Sequence, residues 1–399
     1  MPPSAHRATL LLLIGVAASA PARADFSDTL HPFVGVGYSY EDNLLRLSDA
    51  AKAAGAVGSD SSRQAFAGVA FERPLGRQLF TGSARVSRVS FDRFTELDYS
   101  GKDANGEWKW QLGNDLSGTL GGTYSESLSS FSDFHAAERN VRTQRGAYFE
   151  AKYQFVPHWQ LRGRTSRDKY DYEALQQQYL NRDVNAVEAG LDYLAGTGSS
   201  IGVQARRTRA AYPNPLSFGG VVFDQAYRQT DVKLKVRWQI SAITQLEFLG
   251  GRARRTHLYF AGADSSGANG RASFSWVPEP SLTFNAAVWK DYSPYEGIGG
   301  VSYSQDKGAS VGAGWQFKPQ LQLGAQLRTT RREFVGASNA ALPANANDRI
   351  GTASLSATYN WTRQLSITAS AFREQRSSGS FLSSAYSAKG ASVNASLQF

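Results

Sequence analysis

From Pro32 to the end of the chain, apolar residues recur at every second position, the period of a strand with one apolar face rather than of a helix. In Asp231 to Ile240, Val232, Leu234, Val236, Trp238 and Ile240 share one face, and Asp231, Lys233, Lys235, Arg237 and Gln239 share the other. Leu321, Leu323, Ala325, Leu327 and Thr329 oppose Gln322, Gly324, Gln326, Arg328 and Thr330 in the same way. The stretches Ala147 to Phe155 and Leu365 to Ala371 repeat the pattern. Downstream of the first 24 residues, no helical periodicity of useful length interrupts it.

Tight turns punctuate the strands. Pro74-Leu75-Gly76, Gly113-Asn114, Val156-Pro157-His158, Ala195-Gly196-Thr197-Gly198, Ser241-Ala242, Pro278-Glu279-Pro280, Lys318-Pro319-Gln320 and Thr362-Arg363 recur about 40 residues apart and mostly carry hairpin turn chemistry. Between successive hairpins lie longer polar stretches, among them Glu41 to Arg63, Ser127 to Thr143, Asp171 to Asn185 and Phe334 to Asp348. Eight hairpins, a first strand near Phe33 to Tyr40 and a last near Lys389 to Phe399 give about 18 strands.

Short turns at one end, long loops at the other and an even strand count predict a transmembrane antiparallel β-barrel with short periplasmic turns and long extracellular loops. A span through lipid must satisfy its own backbone hydrogen bonds, and a closed sheet does so without leaving an edge. A soluble propeller or sandwich array would bury both faces of its strands, whereas here the second face is polar or charged. Trp108, Trp110, Tyr153, Phe155, Tyr193, Trp238, Trp276, Trp315, Phe317, Tyr359 and Trp361 fall just before short turns, the level of an inner interfacial girdle.

Composition narrows the rest. The 399 residues include no Cys, which excludes a disulfide scaffold, a thiol nucleophile and a Cys-ligated metal. At the N-terminus, Arg7 precedes a short apolar stretch, Ala8 to Ser19, and Ala22-Arg23-Ala24 offers small residues at a cleavage site. The expected organisation is a signal peptide over 1–24, a short periplasmic segment over 25–32 and a single barrel over 33–399. The net charge of +9 argues for no nucleic-acid partner, because Lys and Arg are dispersed over alternating strands instead of gathered in a patch with stacking aromatics.

Alternation assigns the lumen. Arg85, Lys109, Lys152, Arg162, Arg164, Arg206, Lys233, Lys235, Arg237, Arg271, Arg328 and Arg332 are expected to line it, together with Glu107, Glu150, Asp168, Glu188, Asp192, Asp231, Glu247 and Glu374. A barrel of this size has room for a water-filled channel, and a basic lining lowers the barrier for anions. The competing expectation is a wall of mutually neutralising ion pairs. Tyr148, Tyr170 and Trp289 on the same face are candidates for stacking on sugar rings. Leu246 to Thr256 alternates poorly and leaves its register open.

Catalytic readings find little support. His31, His135, His158 and His257 lack metal-ligand spacing, and no G-x-S-x-G, H-E-x-x-H or P-loop pattern occurs. No enzyme activity, metal site or cofactor is expected. His135, near Asp133 and Glu138, reads as part of a solvated outer loop, and His158 beside Trp159 as interfacial. Asp60 and Asp264 are loop carboxylates that could take calcium or bridge lipopolysaccharide.

Two local runs stand out. Val393, Leu397 and the terminal Phe399 lie on one face of the last strand and resemble the C-terminal signal read by the bacterial barrel assembly machinery. Near the N-terminus, FVGVGYSYEDNLLRL (Phe33 to Leu47) leads from the first strand into a D-N-L-x-R-L run. That run resembles the EpsL-type outer-membrane proteins of exosortase-linked exopolysaccharide operons, although Leu45 stands where an aromatic is expected. The resemblance implies a part in exopolysaccharide biosynthesis, with export of the polymer through the outer membrane. It assigns no transport residue. The expected partners are outer-membrane lipid and lipopolysaccharide around the barrel, a polysaccharide expected to be anionic from the basic lumen, and a periplasmic polysaccharide-export protein. From the residues themselves, Asp42, Asn43 and Arg46 are expected to form a hydrogen-bonded cluster that caps the first strand or turns the first loop inward. The alternatives are a general or anion-selective porin for small solutes and a barrel closed by its own loops.

Overall fold

The computed structural model describes residues 29–218, 221–259, 263–295, 301–336, 346–379 and 384–399. The signal peptide expected over 1–24 lies outside them. The first quarter of the barrel comprises β1 (Leu30–Glu41), β2 (Asp60–Leu75), β3 (Gln78–Phe91), β4 (Tyr99–Leu112) and β5 (Leu116–Leu128). Next come β6 (Val141–Val156), β7 (Trp159–Tyr172), β8 (Arg182–Leu194) and β9 (Ser200–Ala211). A two-stranded loop hairpin follows, β10 (Leu216–Phe218) with β11 (Val221–Phe223). The barrel resumes with β12 (Tyr227–Ser241), β13 (Thr244–His257), β14 (Ser265–Glu279), β15 (Leu282–Pro294) and β16 (Val301–Lys318). It ends with β17 (Leu321–Gly336), β18 (Asn347–Asn360), β19 (Leu365–Ser378) and β20 (Tyr386–Gln398).

Each barrel strand pairs antiparallel with the next, β9 passes directly to β12, and β20 closes on β1 from Phe33↔Gln398 to Glu41↔Gly390. The sheet is therefore a closed barrel of 18 strands. At the closing seam Phe399 N–H donates to Pro32 O at 2.9 Å, while Pro32, which has no N–H of its own, sits just where β20 runs out. Pairing with β2 carries β1 back to Leu30, three residues before the strand expected from the sequence.

All eight hairpin turns expected from the sequence join strands here. Gly76, Gly113 and Gly198 supply positive φ angles of 60°, 64° and 82° in these short connections, a conformation other residues adopt at a cost. His158 also takes a positive φ, 71°, and its Nδ1 lies 2.8 Å from Leu194 O across the adjoining turn.

The alternation resolves into two faces. Val34, Val36, Val86, Leu120, Val232, Leu234, Val311 and Leu355 stand exposed on the outer wall, an apolar surface that only lipid would cover. Trp108, Tyr153, Phe155, Trp238, Trp276, Trp315, Phe317, Tyr359 and Trp361 are likewise outward and exposed near the short-turn rim. Pairs such as Trp276–Phe284, with ring centroids 5.4 Å apart, and Trp315–Phe317, at 4.7 Å, knit this girdle across and along the strands.

Because β1 is bonded on both sides, its interior tolerates no missing donor. Val36→Pro is expected to abolish the compact band of the folded barrel in unheated SDS electrophoresis. Wild-type migration of the variant would show that closure through β1 is dispensable.

Candidate functional site

Strand alternation turns the polar faces inward, and the cavities they enclose define the site. One lumenal cavity, of about 650 Å³, is lined by Glu247, Arg271, Ser273, Asn285, Ser310 and Gln326 among others. A second, of about 570 Å³, gathers Tyr148, Arg162, Arg164, Asp168, Arg206 and Lys235. The opposite wall is lined by hydroxyls: Ser370 and Ser392 lie 2.8 Å apart, Ser39 and Ser62 2.7 Å, and Thr358 and Thr368 3.1 Å.

The charges expected inside separate into two groups. Most are paired. Arg162 meets Glu188 at 2.9 Å and Asp192 at 3.6 Å, and Lys235 joins Asp192 at 3.1 Å. Glu150 takes Lys152 at 2.8 Å and Arg164 at 3.4 Å. Lys109 lies 3.2 Å from Glu107, Lys233 3.9 Å from Asp231, and Arg237 3.8 Å from Glu247. In the second group are Arg85, Arg206, Arg271 and Arg328, which have no carboxylate within salt-bridge reach among the described residues.

Aromatic rings hold several of the lumenal arginines. Arg85 lies 4.0 Å over Phe66, while Arg271 and Arg328 lie 5.3 Å and 4.6 Å from the Trp289 ring. Such contacts stabilise a cation without neutralising it. Trp289 reaches this place because Gly308 on β16 has no side chain: a Cβ there would come within 2.2 Å of the indole. The rings expected to stack on sugars are therefore covered, with Arg164 4.4 Å over Tyr148 and Arg182 4.0 Å over Tyr170. They present guanidinium groups to the lumen instead of bare π faces.

The outer mouth departs most from the sequence expectation. The third outer loop, 129–140, leaves β5 and returns in β6, yet its Asp133 contacts the opposite wall. Strands β6 and β17 stand nine places apart in either direction around the barrel, and Arg332 on β17 grips Asp133 through two hydrogen bonds of 2.8 Å. Arg332 also bonds Asp348 of β18 at 2.9 and 2.7 Å. Arg376 of β19 reaches Asp348 at 2.6 Å and Asp133 at 3.1 Å, and donates to Ser132 O. The side chains of Asp348 and Arg376 are fully buried. Arg332, expected to line an open lumen, is thus spent on a two-arginine, two-aspartate latch. His135 is no freely solvated loop residue either, since it is half-buried with Nδ1 3.1 Å from Leu45 O.

The first loop, 42–59, is folded against the third. Asn43 is fully buried; its amide donates to Leu47 O and Ser387 O at 2.9 Å and accepts from Leu47 N–H at 2.8 Å. Asp42 exchanges hydrogen bonds of 3.0 and 2.8 Å with the Lys389 backbone. Arg46, at φ 55°, bonds Glu41 at 2.7 Å and Glu374 at 3.0 Å. These contacts tie the loop to β19 and β20 and drive Leu45 into an apolar cluster with Val89, Phe91, Leu97 and Phe131. Asp42, Asn43 and Arg46 thus both cap the strand and turn the loop inward. Asp60 and Asp264 are committed to backbone: Asp60 accepts from the N–H groups of Ser61, Arg93 and Phe94, and Asp264 from that of His257. Among the described residues no group of carboxylates and histidines has the arrangement of a metal site.

Sequence reasoning missed Asp348, Arg376 and Arg255, and gave Asp133 no partner. Arg255 lies within the irregular stretch of β13, where Arg252 and Arg254 face outward. It is buried among Tyr227, Tyr292 and Tyr303, at 4.0, 4.9 and 4.7 Å, and bonds Gln229 at 2.9 Å. No sequence spacing announces either cluster, because Asp133 joins Arg332 from across the barrel and Tyr292 and Tyr303 reach Arg255 from strands not paired with β13.

Comparison with known proteins agrees with this architecture. A family model described as "Putative beta-barrel porin 2" matches residues 239–399. No curated protein matches. Among solved structures, OccK2 (OpdF) of Pseudomonas aeruginosa, determined in complex with glucuronate, aligns with a TM-score of 0.50 at 11% identity, covering 93% of this chain and 98% of that one. OpdK of the same organism aligns with a TM-score of 0.48 at 12% identity over 93% and 99%, and OccAB3 of Acinetobacter baumannii with 0.47 at 11% over 93% and 98%. The chain has the fold of an outer-membrane β-barrel.

The latch has a definite response to acid. Burial pushes the Asp133 carboxyl up, but its hydrogen bonds and charge contacts with Arg332, with help from Arg376, more than reverse this and hold it below its ordinary 3.8. A depressed folded-state value contributes stability that is complete above the unfolded value and lost as pH falls through the folded one. Loop docking is thus expected to persist from neutral pH down to about 3.8 and to weaken only below it. Removing one partner of a buried ion pair costs about 3–5 kcal/mol. Asp133→Asn is therefore expected to release the third loop and raise single-channel conductance at pH 7 in planar bilayers. Unchanged conductance would show that the latch does not set the width of the mouth.

Proposed function

We propose that the chain is a non-enzymatic outer-membrane channel for small anionic solutes, with carboxylated sugars the class its lumen suits best. The observation that carries this reading is the set of unneutralised lumenal arginines, Arg85, Arg206, Arg271 and Arg328, two of them flanking Trp289. A carboxylate passing this wall meets guanidinium groups with unspent charge, while its hydroxyls face the Ser and Thr side chains opposite. The paired charges hold the wall rigid, and the latched third loop sets the width. Outer-membrane placement is supported by the exposed apolar outer wall, the girdle of aromatics and the porin-family match over 239–399. An acidic sugar as cargo is in keeping with OccK2, a barrel of similar fold determined in complex with glucuronate. Before closure against β1, the last strand, with Val393, Leu397 and Phe399, would be the segment offered to the barrel assembly machinery.

Export of an anionic polysaccharide is the second reading, favoured by the D-N-L-x-R-L resemblance and by a lumen that would serve an acidic polymer as well as a monomer. In that case a periplasmic export protein would deliver the chain to the short-turn face. The covered Tyr148, Tyr170 and Trp289 rings and the loops folded into the mouth weigh toward the small solute.

Glucuronate is expected to block single-channel current where uncharged glucose does not. Arg271→Gln/Arg328→Gln should weaken that block about tenfold or more, since a charge-assisted hydrogen bond contributes about 1.5–3 kcal/mol. Equal block by both sugars would overturn the anionic-solute reading. Loss of secreted polysaccharide from a deletion strain would instead favour export.

A further inference from the structure

The outer wall is not uniformly convex. Across β15 to β20 and β1 it forms a groove of about 1280 Å³, larger than the about 300–1,000 Å³ typical of small-molecule pockets. Its floor is made of small and branched apolar side chains, including Val311, Ala325, Leu327, Ala353, Leu355 and Ala371. These are outward positions, so the hollow faces the membrane and not the lumen. It lies on the wall gripped from inside by the third loop.

The upper end of the groove carries an excess of positive charge: its one lining carboxylate among the described residues, Asp42, accepts from the Lys389 backbone N–H at 2.8 Å, against two cationic side chains. Arg373 and Lys389 sit directly opposite each other on β19 and β20, both exposed, toward the long-loop rim. Neither has a carboxylate within 4 Å among the described residues. One strand further round, Arg331 and Arg349 form a second basic pair across β17 and β18; of these four cations only Arg331 has a carboxylate nearby, Glu333 at 3.7 Å. Like charges opposite each other in a sheet are destabilising. Two such pairs above an apolar hollow are balanced when an anion occupies the space over them. Tyr40, whose β1 position pairs with Ala391, borders the same hollow with an aromatic ring.

We propose that this groove is a binding site for a phosphorylated, multiply acylated lipid of the outer leaflet. The acyl chains would lie on the Ala and Leu floor, and the phosphates would sit between Arg373, Lys389 and Arg349. The match is one of charge and shape: an amphiphile with an anionic head at the long-loop level and tails pointing toward the girdle of aromatics. This assignment rests on outer-membrane placement but not on what the lumen conducts.

The test is retention of lipid A by the full-length, detergent-purified barrel in native mass spectrometry, with bisphosphorylated and dephosphorylated lipid A compared. Wild type is expected to retain the bisphosphorylated form preferentially. Arg373→Ala/Lys389→Ala should lower that retention about tenfold, and Leu355→Trp should lower it by filling the floor while leaving the cations in place. Arg88→Ala, on an outward rim position away from the groove, should match wild type. Equal retention by wild type and the Arg373/Lys389 variant, or an equal loss with Arg88→Ala, would overturn the site in favour of a general rim charge. A lipid-free dimer dissolved by Leu355→Trp would put a second copy of the chain in the groove and also overturn it. Conductance measured on the same preparations separates the two proposals: a conducting wild type that retains no lipid A removes the lipid site and leaves the channel.

Discussion

The constraint on which everything else depends is the closure of the backbone ladder. A wall facing lipid has no water to accept its N–H groups, so each strand must bond two neighbours and the last must return to the first. The junction of β20 with β1 meets this requirement, down to the Phe399 N–H on Pro32 O. Once the ladder is closed, side chains have only two directions available. Along the spans most apolar residues go to the lipid and most polar residues to the lumen, while a set of arginines and lysines stays on the outer face, Arg373 and Lys389 among them toward the long-loop rim.

Within the lumen, a second constraint sorts the charges. Among the lumenal charges expected from the alternation, carboxylates are fewer than arginines and lysines, and most of them are in ion pairs. Three of the four leftover arginines, Arg85, Arg271 and Arg328, are held by aromatic rings, which fix their position without cancelling their charge. The latch at the mouth shows the same economy in a drier setting. Two arginines and two aspartates share one buried cluster in which every charge has an opposite neighbour. That cluster converts a loop on one side of the barrel into a bar across it.

The barrel is legible in the sequence because its signals are local. Period-two alternation, Gly and Pro turns and aromatics before the turns each depend on a few adjacent residues, and all eight hairpins are where those signals lie. The inward side of the charged strands follows from the same alternation. Pairing at a distance leaves no such local mark. Asp133 and Arg332 are separated by 199 positions, and Asn43 and Ser387 by 344, so no spacing rule connects them. Arg255 is hidden for another reason: Gly250 and Gly251 blur the alternation of β13 just before it. Nothing adjacent to Tyr148, Tyr170 or Trp289 marks their rings as covered, because only the folded lumen sets a guanidinium over each one.

The central claim is that the lumen carries an uncancelled positive charge that selects anions. Its most direct measurement is the zero-current potential of the wild-type channel in a planar bilayer under a KCl gradient. The dilute side should be kept near 0.1 M, where the screening length is about 10 Å and wall charge is felt across the pore. The account predicts a reversal potential with the sign of chloride permeation, shrinking toward zero as both solutions are raised to molar salt. A potential of potassium sign, or none at low salt, would contradict it.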